Sequence, residues 1–425
     1  MVTTWCYYVS VYAVRNGSFT GKEDLTMTTS LQNIDLLLKT GKKHVCLVNY
    51  SWRERRTSPL LPLLAQNGFR VGFADDAGEL MKLFIQIENS GEKSRLRLAM
   101  RQLKAALFTL SGKLHPHDGL YNRDTLVLVS TGDTALCEAA QLTMQEIGGL
   151  DRLFFYDAKR NRILQYAKPV LNYLEYHVAW HCNLNCKGCS HYCNLYDQPR
   201  FGDPEKFRVR LLRLRELFGN ITTIRLMGGE PFLNPDLGVF AQIAREVFPD
   251  TDLRVVSNGL LIPKVDARVL QCLRDNQAIV DISAYPPTVK MLDKITSCLD
   301  SAGVPWETTE EIKEFRLIVG QNKRNGTDNF NQCYLRGCHF LHDDGRLTVC
   351  GIPCFYNAAR AYLRSENEVS EQDWLHIDSV KDGYEILRLF NRPIPFCTYC
   401  LTREQVLFPW QQQYREKVTE EQAEG

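Results

Sequence analysis

From Leu174 onward the chain alternates short apolar runs of β type with amphipathic helical segments, and that regular alternation is its strongest constraint on fold. The runs are Leu174–Trp180, Thr223–Met227, Leu253–Ser257, Ala278–Ser283, Trp306–Thr309 and Phe315–Val319. Helical patterns lie between them near 205–218, 236–247, 264–275 and 288–302. Within the first helix Phe207, Leu211, Leu214 and Phe218 fall on one face, while Arg208, Arg215 and Glu216 face outward as a solvated surface. Strand–helix repeats of this kind predict a mainly parallel sheet, with chemistry gathered at the carboxyl ends of its strands.

The first run leads directly into Ala179-Trp-His-Cys182-Asn-Leu-Asn-Cys186-Lys-Gly-Cys189-Ser-His191, a Cys-x3-Cys-x2-Cys triplet. Three thiolates in one loop can hold three irons of a cubane cluster and leave the fourth without a protein ligand. An open metal position of that kind is what separates a catalytic site from a closed structural one. The same residues also admit a zinc site with His181, His191 or Cys193 as fourth ligand, or buried inert thiols. The second run ends in Met227-Gly-Gly-Glu-Pro231. Its glycines let backbone approach a ligand closely, and its carboxylate can pair with an ammonium.

Together the triplet and the Gly-Gly-Glu-Pro resemble the signatures of the radical S-adenosylmethionine (radical SAM) superfamily, and the resemblance covers roughly residues 174–400. It implies a partial (β/α)6 barrel over residues 170–325. Cys182, Cys186 and Cys189 would each bind one iron of a [4Fe-4S] cluster, with the methionyl group of S-adenosyl-L-methionine on the open iron. Glu230 and the nearby backbone at Gly228 and Gly229 would hold the methionyl amine, and Ser257, Asn258 and Ser283 would contact the cofactor's ribose or carboxylate. The implied reaction is reductive cleavage to a 5′-deoxyadenosyl radical, which abstracts hydrogen from a substrate. A low-potential donor such as flavodoxin or ferredoxin would supply the electron. Many members place an aromatic residue just before the third cysteine, beside the adenine; here that residue is Gly188.

Beyond the polar connector 321–329 the periodicity fades and six cysteines crowd residues 333–400. Cys333-x11-Gly345-x4-Cys350 resembles the opening of the SPASM or twitch extensions, which carry auxiliary iron–sulfur clusters. Gly345 would turn a small hairpin there. Cys397-x2-Cys400 would close the site, but the longer cysteine run of a full SPASM domain is absent. Auxiliary candidates are Cys333, Cys338, Cys350, Cys397 and Cys400. The favoured set is Cys338, Cys350, Cys397 and Cys400, with Cys333 a close substitute and Cys354 a bystander. A zinc knuckle on the same thiolates is the alternative.

Residues 1–165 read as a separate small α/β domain, with strands at His44–Tyr50, Phe69–Ala74, Thr125–Ser130 and Leu153–Tyr156 and helices at Ser94–Leu110 and Thr134–Ile147. Its Ser130–Thr134 loop suits a helix cap, or less often an anion, and no Gly-x-Gly-x-x-Gly pattern occurs. The predicted class is therefore α/β: this domain, the partial barrel, a loop-rich extension at 330–405, and a polar tail at 411–425.

A charge balance of 51 Lys+Arg against 50 Asp+Glu gives no field that would favour nucleic acid or a membrane surface. Fifteen cysteines without a secretory start point to metal in a reducing cytoplasm rather than to disulfides. Cys6, Cys46, Cys137, Cys272 and Cys298 are scattered through predicted elements and read as structural. The expected substrate is a peptide, with a carbohydrate or other small metabolite as the alternative. A non-catalytic zinc-binding scaffold is the reading from a different class.

Overall fold

The computed structural model describes residues 33–48, 60–74, 125–130, 134–146, 148–194, 199–363, 366–402, 404 and 406–412. Cys6, the helix expected at Ser94–Leu110, the centre of the Ser130–Thr134 loop and most of the polar tail lie outside them. The chain divides into two compact units. One comprises Tyr173–Asp382 with the residues from Arg392 onward. The other comprises the described residues up to Asn172 with Gly383–Asn391.

In the N-terminal unit, β1 (His44–Val48), β2 (Arg70–Ala74), β3 (Thr125–Ser130), β4 (Leu153–Asp157) and β5 (Arg162–Leu164) form one sheet in the order β2-β1-β3-β4-β5. All its pairings are parallel except the edge pair β4–β5. Period-two alternation sends Cys46, Val48, Val127, Val129 and Phe155 to one face, where Cys137, Ala140 and Met144 of helix Thr134–Glu146 cover them. Val45, Leu47, Leu126, Leu128 and Phe154 form the opposite core with Leu60 and Leu64. Both faces are buried, which explains the near-continuous apolar strands. Burial pushes the Cys46 thiol up to about 12, and Cys137 is equally buried, so both behave as small hydrophobic residues.

The larger unit is built on a second sheet, ordered β10-β9-β8-β7-β6-β12-β13-β14. Its strands are β6 (Val170–Ala179), β7 (Asn220–Gly228), β8 (Asp252–Ser257), β9 (Ile279–Ile282) and β10 (Trp306–Thr308), extended by the short β12 (Phe340–Leu341), β13 (Arg346–Thr348) and β14 (Trp374–His376). Neighbours from β7 to β10 pair in parallel, and β12 adds in parallel beside β6. Helix Pro204–Leu217 starts where Pro204 follows the cap Asp203, whose carboxylate accepts from the N–H groups of Glu205 and Lys206. It buries Phe207, Leu211 and Leu214, the stripe read from sequence.

The sixth expected strand does not join this sheet. Only five residues separate β10 from β11 (Glu314–Arg316), too few for the crossover that a parallel neighbour requires. β11 instead pairs antiparallel with β15 (Leu407–Pro409) near the C-terminus. Among the described residues no helix is long and apolar enough to cross a membrane.

Candidate active site

The cysteine loop leaves β6 at Trp180 and returns beside it. Trp180 N–H donates to the Arg200 carbonyl at 2.9 Å, and Gly202 N–H to that of Val178 at 3.0 Å. Between these ties Asn185, Gly188 and Tyr192 adopt positive φ, which coils the loop so that Cys182, Cys186 and Cys189 face one cavity. Leu184 N–H points at Cys182 Sγ (3.4 Å), and the Trp410 indole N–H donates to Cys186 Sγ (3.2 Å).

Burial, then the nearby Glu230 charge, raises the Cys182 thiol, and burial takes Cys186 up to about 12. Cys189 moves the other way, down to about 7, because the Cys193 thiol donates a hydrogen bond to it. His191 is held down to about 4 by burial, and its Nδ1 stands 2.9 Å from His177 Nε2. Among the described residues no group of three or more His, Cys, Asp or Glu side chains converges on a single-ion geometry.

The Gly-Gly-Glu segment locks against this loop. A β-carbon on Gly228 would strike the Ala179 carbonyl oxygen, and one on Gly229 would strike that of His181. Both positions must therefore be glycine, and Gly228 also has φ +118°. Gly229 N–H donates to the Ala179 carbonyl (2.8 Å), and Glu230 N–H to that of His181 (3.0 Å).

The Glu230 side chain is fully buried. Its Oε1 accepts from the Ser257 hydroxyl (2.7 Å) and the Phe232 N–H (3.1 Å), and its Oε2 accepts from the Asn258 N–H (2.9 Å). Burial raises this carboxyl to about 7 even against those three donors. Asn258 reaches back to the loop, its Nδ2 donating to Asn183 Oδ1 at 2.7 Å and lying 3.7 Å from Cys182 Sγ. Ser283 N–H donates to the Ser257 carbonyl (2.8 Å). Thus Gly228, Gly229, Ser257, Asn258 and Ser283, scattered over three strand ends in sequence, form one ledge on the cavity of the three cysteines, and Glu230 lies buried behind it, bonded to Ser257 and Asn258.

Loop and ledge line a cavity of about 640 Å³ whose floor is charged, with Glu175, Arg225 and Asp281 all nearly buried. Asp281 receives Arg225 and Arg254 at 2.6 Å each, and Arg254 also pairs with Glu307 at 2.7 Å. The Tyr173 hydroxyl donates to Glu175 at 2.8 Å, and burial raises that carboxyl to about 7. Sequence reading missed this floor. The signal was a single charged residue inside each apolar strand, as in Ile224-Arg-Leu226 and Val280-Asp-Ile282. In a sheet buried on both faces such a residue must find a partner.

Asn329 Nδ2 donates to the carbonyls of Cys397 and Cys400, both at 2.8 Å, and so ties helix Gly326–Asn331 to the Pro395–Tyr399 turn. Burial first, then charges on Cys333, Cys400 and Cys397, hold the Cys350 thiol far up. Cys397 and Cys400 likewise feel Cys333 after burial. Cys333, Cys350, Cys397 and Cys400 are therefore within electrostatic reach of one another. Cys338 and Cys350 both line the main cavity; the Cys338 charge acts on Tyr173 and, with Cys333 and Cys400, on Tyr334, while Cys354 answers chiefly to burial and Arg346.

Residues 180–316 match the family model of the Radical SAM superfamily. The chain carries a radical SAM superfamily domain. That domain takes in the cysteine triplet, the glycine ledge and the charged floor from β7 to β10, and it ends before the C-terminal cysteines. Over 101 residues the chain is 33% identical to a GTP 3′,8-cyclase of Campylobacter curvus (strain 525.92), covering 22% of this chain and 29% of that protein. Over 128 residues it is 30% identical to a GTP 3′,8-cyclase of Sulfurimonas denitrificans, covering 28% and 37%. The chain thus spans about a third of the length of these curated relatives. Among solved structures it is similar to BtrN in complex with AdoMet and 2-DOIA (15% identity, TM-score 0.35, 56% of this chain and 94% of that one). It is also similar to Streptococcus suis SuiB bound to precursor peptide SuiA (11% identity, TM-score 0.29, 74% and 84%).

Proposed function

We propose that this chain is a radical SAM enzyme of the cytoplasm that uses a low-potential electron donor such as flavodoxin or ferredoxin. The observation that carries the reading is the packing of the Cys182–Cys189 loop on the Gly228-Gly229 backbone, within a radical SAM superfamily domain. The donor set fits a [4Fe-4S] cluster: three thiols on one loop face a cavity broad enough for a cofactor. When bound, cluster and S-adenosyl-L-methionine together supply a 5′-deoxyadenosyl radical that removes hydrogen from a substrate. Cys182, Cys186 and Cys189 would hold the irons. Gly228 and Gly229 would face the methionyl amine, with the Glu230 carboxyl buried behind them and Ser257, Asn258 and Ser283 around the rest of the cofactor. Ser257 and the Asn258 N–H fix the orientation of the Glu230 carboxyl before the cofactor arrives.

The floor of Glu175, Arg225 and Asp281 would orient the polar end of the substrate, either a peptide residue or a small metabolite. Cys333, Cys350, Cys397 and Cys400 would hold an auxiliary [4Fe-4S] cluster in a twitch-like extension of a partial barrel. Mutual electrostatic reach is the observation that favours Cys333 in that set.

Anaerobic reconstitution with iron and sulfide, followed by reduction with S-adenosyl-L-methionine present, tests the main reading. The wild-type chain should form 5′-deoxyadenosine, and the Cys182→Ala/Cys186→Ala/Cys189→Ala variant should form none. Equal formation by both would remove the triplet from the chemistry. Stoichiometric zinc with no iron, even after reconstitution, would leave a scaffold instead.

A further inference from the structure

The segment after β15 crosses the face of the cysteine loop and is bonded to it at several points. Lys187 N–H donates to the Gln411 carbonyl at 2.9 Å, Cys186 bridges Gln412 in antiparallel register, and Gln412 Nε2 donates to the Leu184 carbonyl at 3.0 Å. The other side of the segment is anchored too. Phe315 pairs with Phe408 across β11 and β15, and Trp410 N–H donates to the Lys313 carbonyl at 2.8 Å. The Trp410 ring stacks on Tyr285, with centroids 5.9 Å apart and planes 26° apart.

Two side chains of this strap enter the loop. Trp410 Nε1 lies 3.2 Å from Cys186 Sγ, and Phe408 occupies the space that a side chain on Gly188 would need. Gly188 has φ +68°, so glycine there answers to conformation as well as to the ring laid over it. The loop carries glycine immediately before its third cysteine; the strap lays an aromatic ring over that position from more than two hundred residues away.

We propose that the strap Leu407–Gln412 is a working part of the core-cluster site, with the Trp410 indole N–H donating to the Cys186 thiolate and thereby setting the cluster's reduction potential. The proposal rests on the radical SAM reading above. Hydrogen bonds to ligating sulfurs are one of the levers that fix iron–sulfur potentials. A donor on thiolate sulfur disperses negative charge, which favours the reduced, more negative state. Removing it should make the cluster harder to reduce. Trp410 is then a tuning residue that acts through Cys186 and touches neither substrate nor the reacting atoms.

The test is an EPR-monitored redox titration of the full-length reconstituted protein, following the reduced-cluster signal that changes when S-adenosyl-L-methionine is added. Trp410→Phe should keep its iron and shift the midpoint of that signal to more negative potential. Trp410→His, which retains a ring N–H, should lie between Trp410→Phe and wild type. An unchanged midpoint in Trp410→Phe with iron intact would overturn the proposal. If Trp410→Phe loses iron, recovery of the cluster in Trp410→His supports the hydrogen bond. Loss in both variants reduces Trp410 to packing and overturns it. A wild-type chain that binds no iron fails the underlying reading instead, so the two failures are distinguishable.

Discussion

Glu230 is the residue on which the candidate site turns, because it ties the glycine ledge to Ser257 and Asn258 while wholly out of water. Replacing it with Gln puts an amide N–H₂ where a carboxylate accepted, so one donor among Ser257, Phe232 and Asn258 loses its acceptor. The expected loss of stability is on the order of 1–3 kcal/mol, read from urea unfolding. A pH effect accompanies it. Burial raises the folded carboxyl to about 7, above the ordinary 4.5, so the folded protein holds a proton that the unfolded chain has released. The resulting stability is fully present below about 4.5 and lost as pH rises through about 7. The size of the effect is roughly 3 kcal/mol. Stability of the cofactor-free protein should therefore fall between pH 5 and pH 8, and Glu230→Gln should remove part of that fall. Glu175, raised to a similar value, supplies a further part. An identical pH slope in wild type and variant would show that Glu230 does not titrate in this range. Close contacts make glycine equally decisive: Gly229→Ala would drive a methyl into the His181 carbonyl and should displace the loop, measurable as lost iron after reconstitution. The identity of these residues was legible in sequence, but their mutual bonds were not, because three separate strand ends had to converge before Glu230 met Ser257.

At the scale of elements, the parallel strands and their covering helices were legible because apolar periodicity acts locally. Phe315–Val319 was misplaced for the opposite reason. Its apolar alternation is that of a strand, but strand partnership depends on connection length and on a C-terminal segment ninety residues away. The auxiliary cysteines show the same limit. Spacing offered Cys333 and Cys338 as near substitutes, and both act on the same Tyr334 together with Cys400. Two single replacements in a background lacking the first-loop cysteines separate them. Cys338→Ala should retain about four irons and four sulfides, and Cys333→Ala should lose much of them, since a closed four-thiolate cubane would be left one ligand short. Equal retention by both variants would dissolve the proposed quartet.

For the molecule as a whole, the division into units does not follow the chain in simple order. Helix Gly383–Phe390 belongs with the N-terminal unit although it lies more than two hundred residues beyond it in sequence. It packs on helix Thr134–Glu146, and Arg388 bonds Gln145 at 2.8 Å. Nothing local could announce this, because the segment's apolar face is as compatible with one unit as with the other. Ile386, Leu387, Leu389 and Phe390 are buried in the intact chain. Full burial of such side chains contributes about 1.5–3 kcal/mol each, so together they rival the 5–15 kcal/mol by which a typical domain is folded. A fragment of residues 18–172 should accordingly lack a cooperative thermal transition. Addition of a peptide spanning 381–393, or its fusion through a flexible linker, should restore one. A fragment that melts cooperatively alone, at the same temperature with and without the peptide, would show that the helix is an accessory to this unit rather than part of its core.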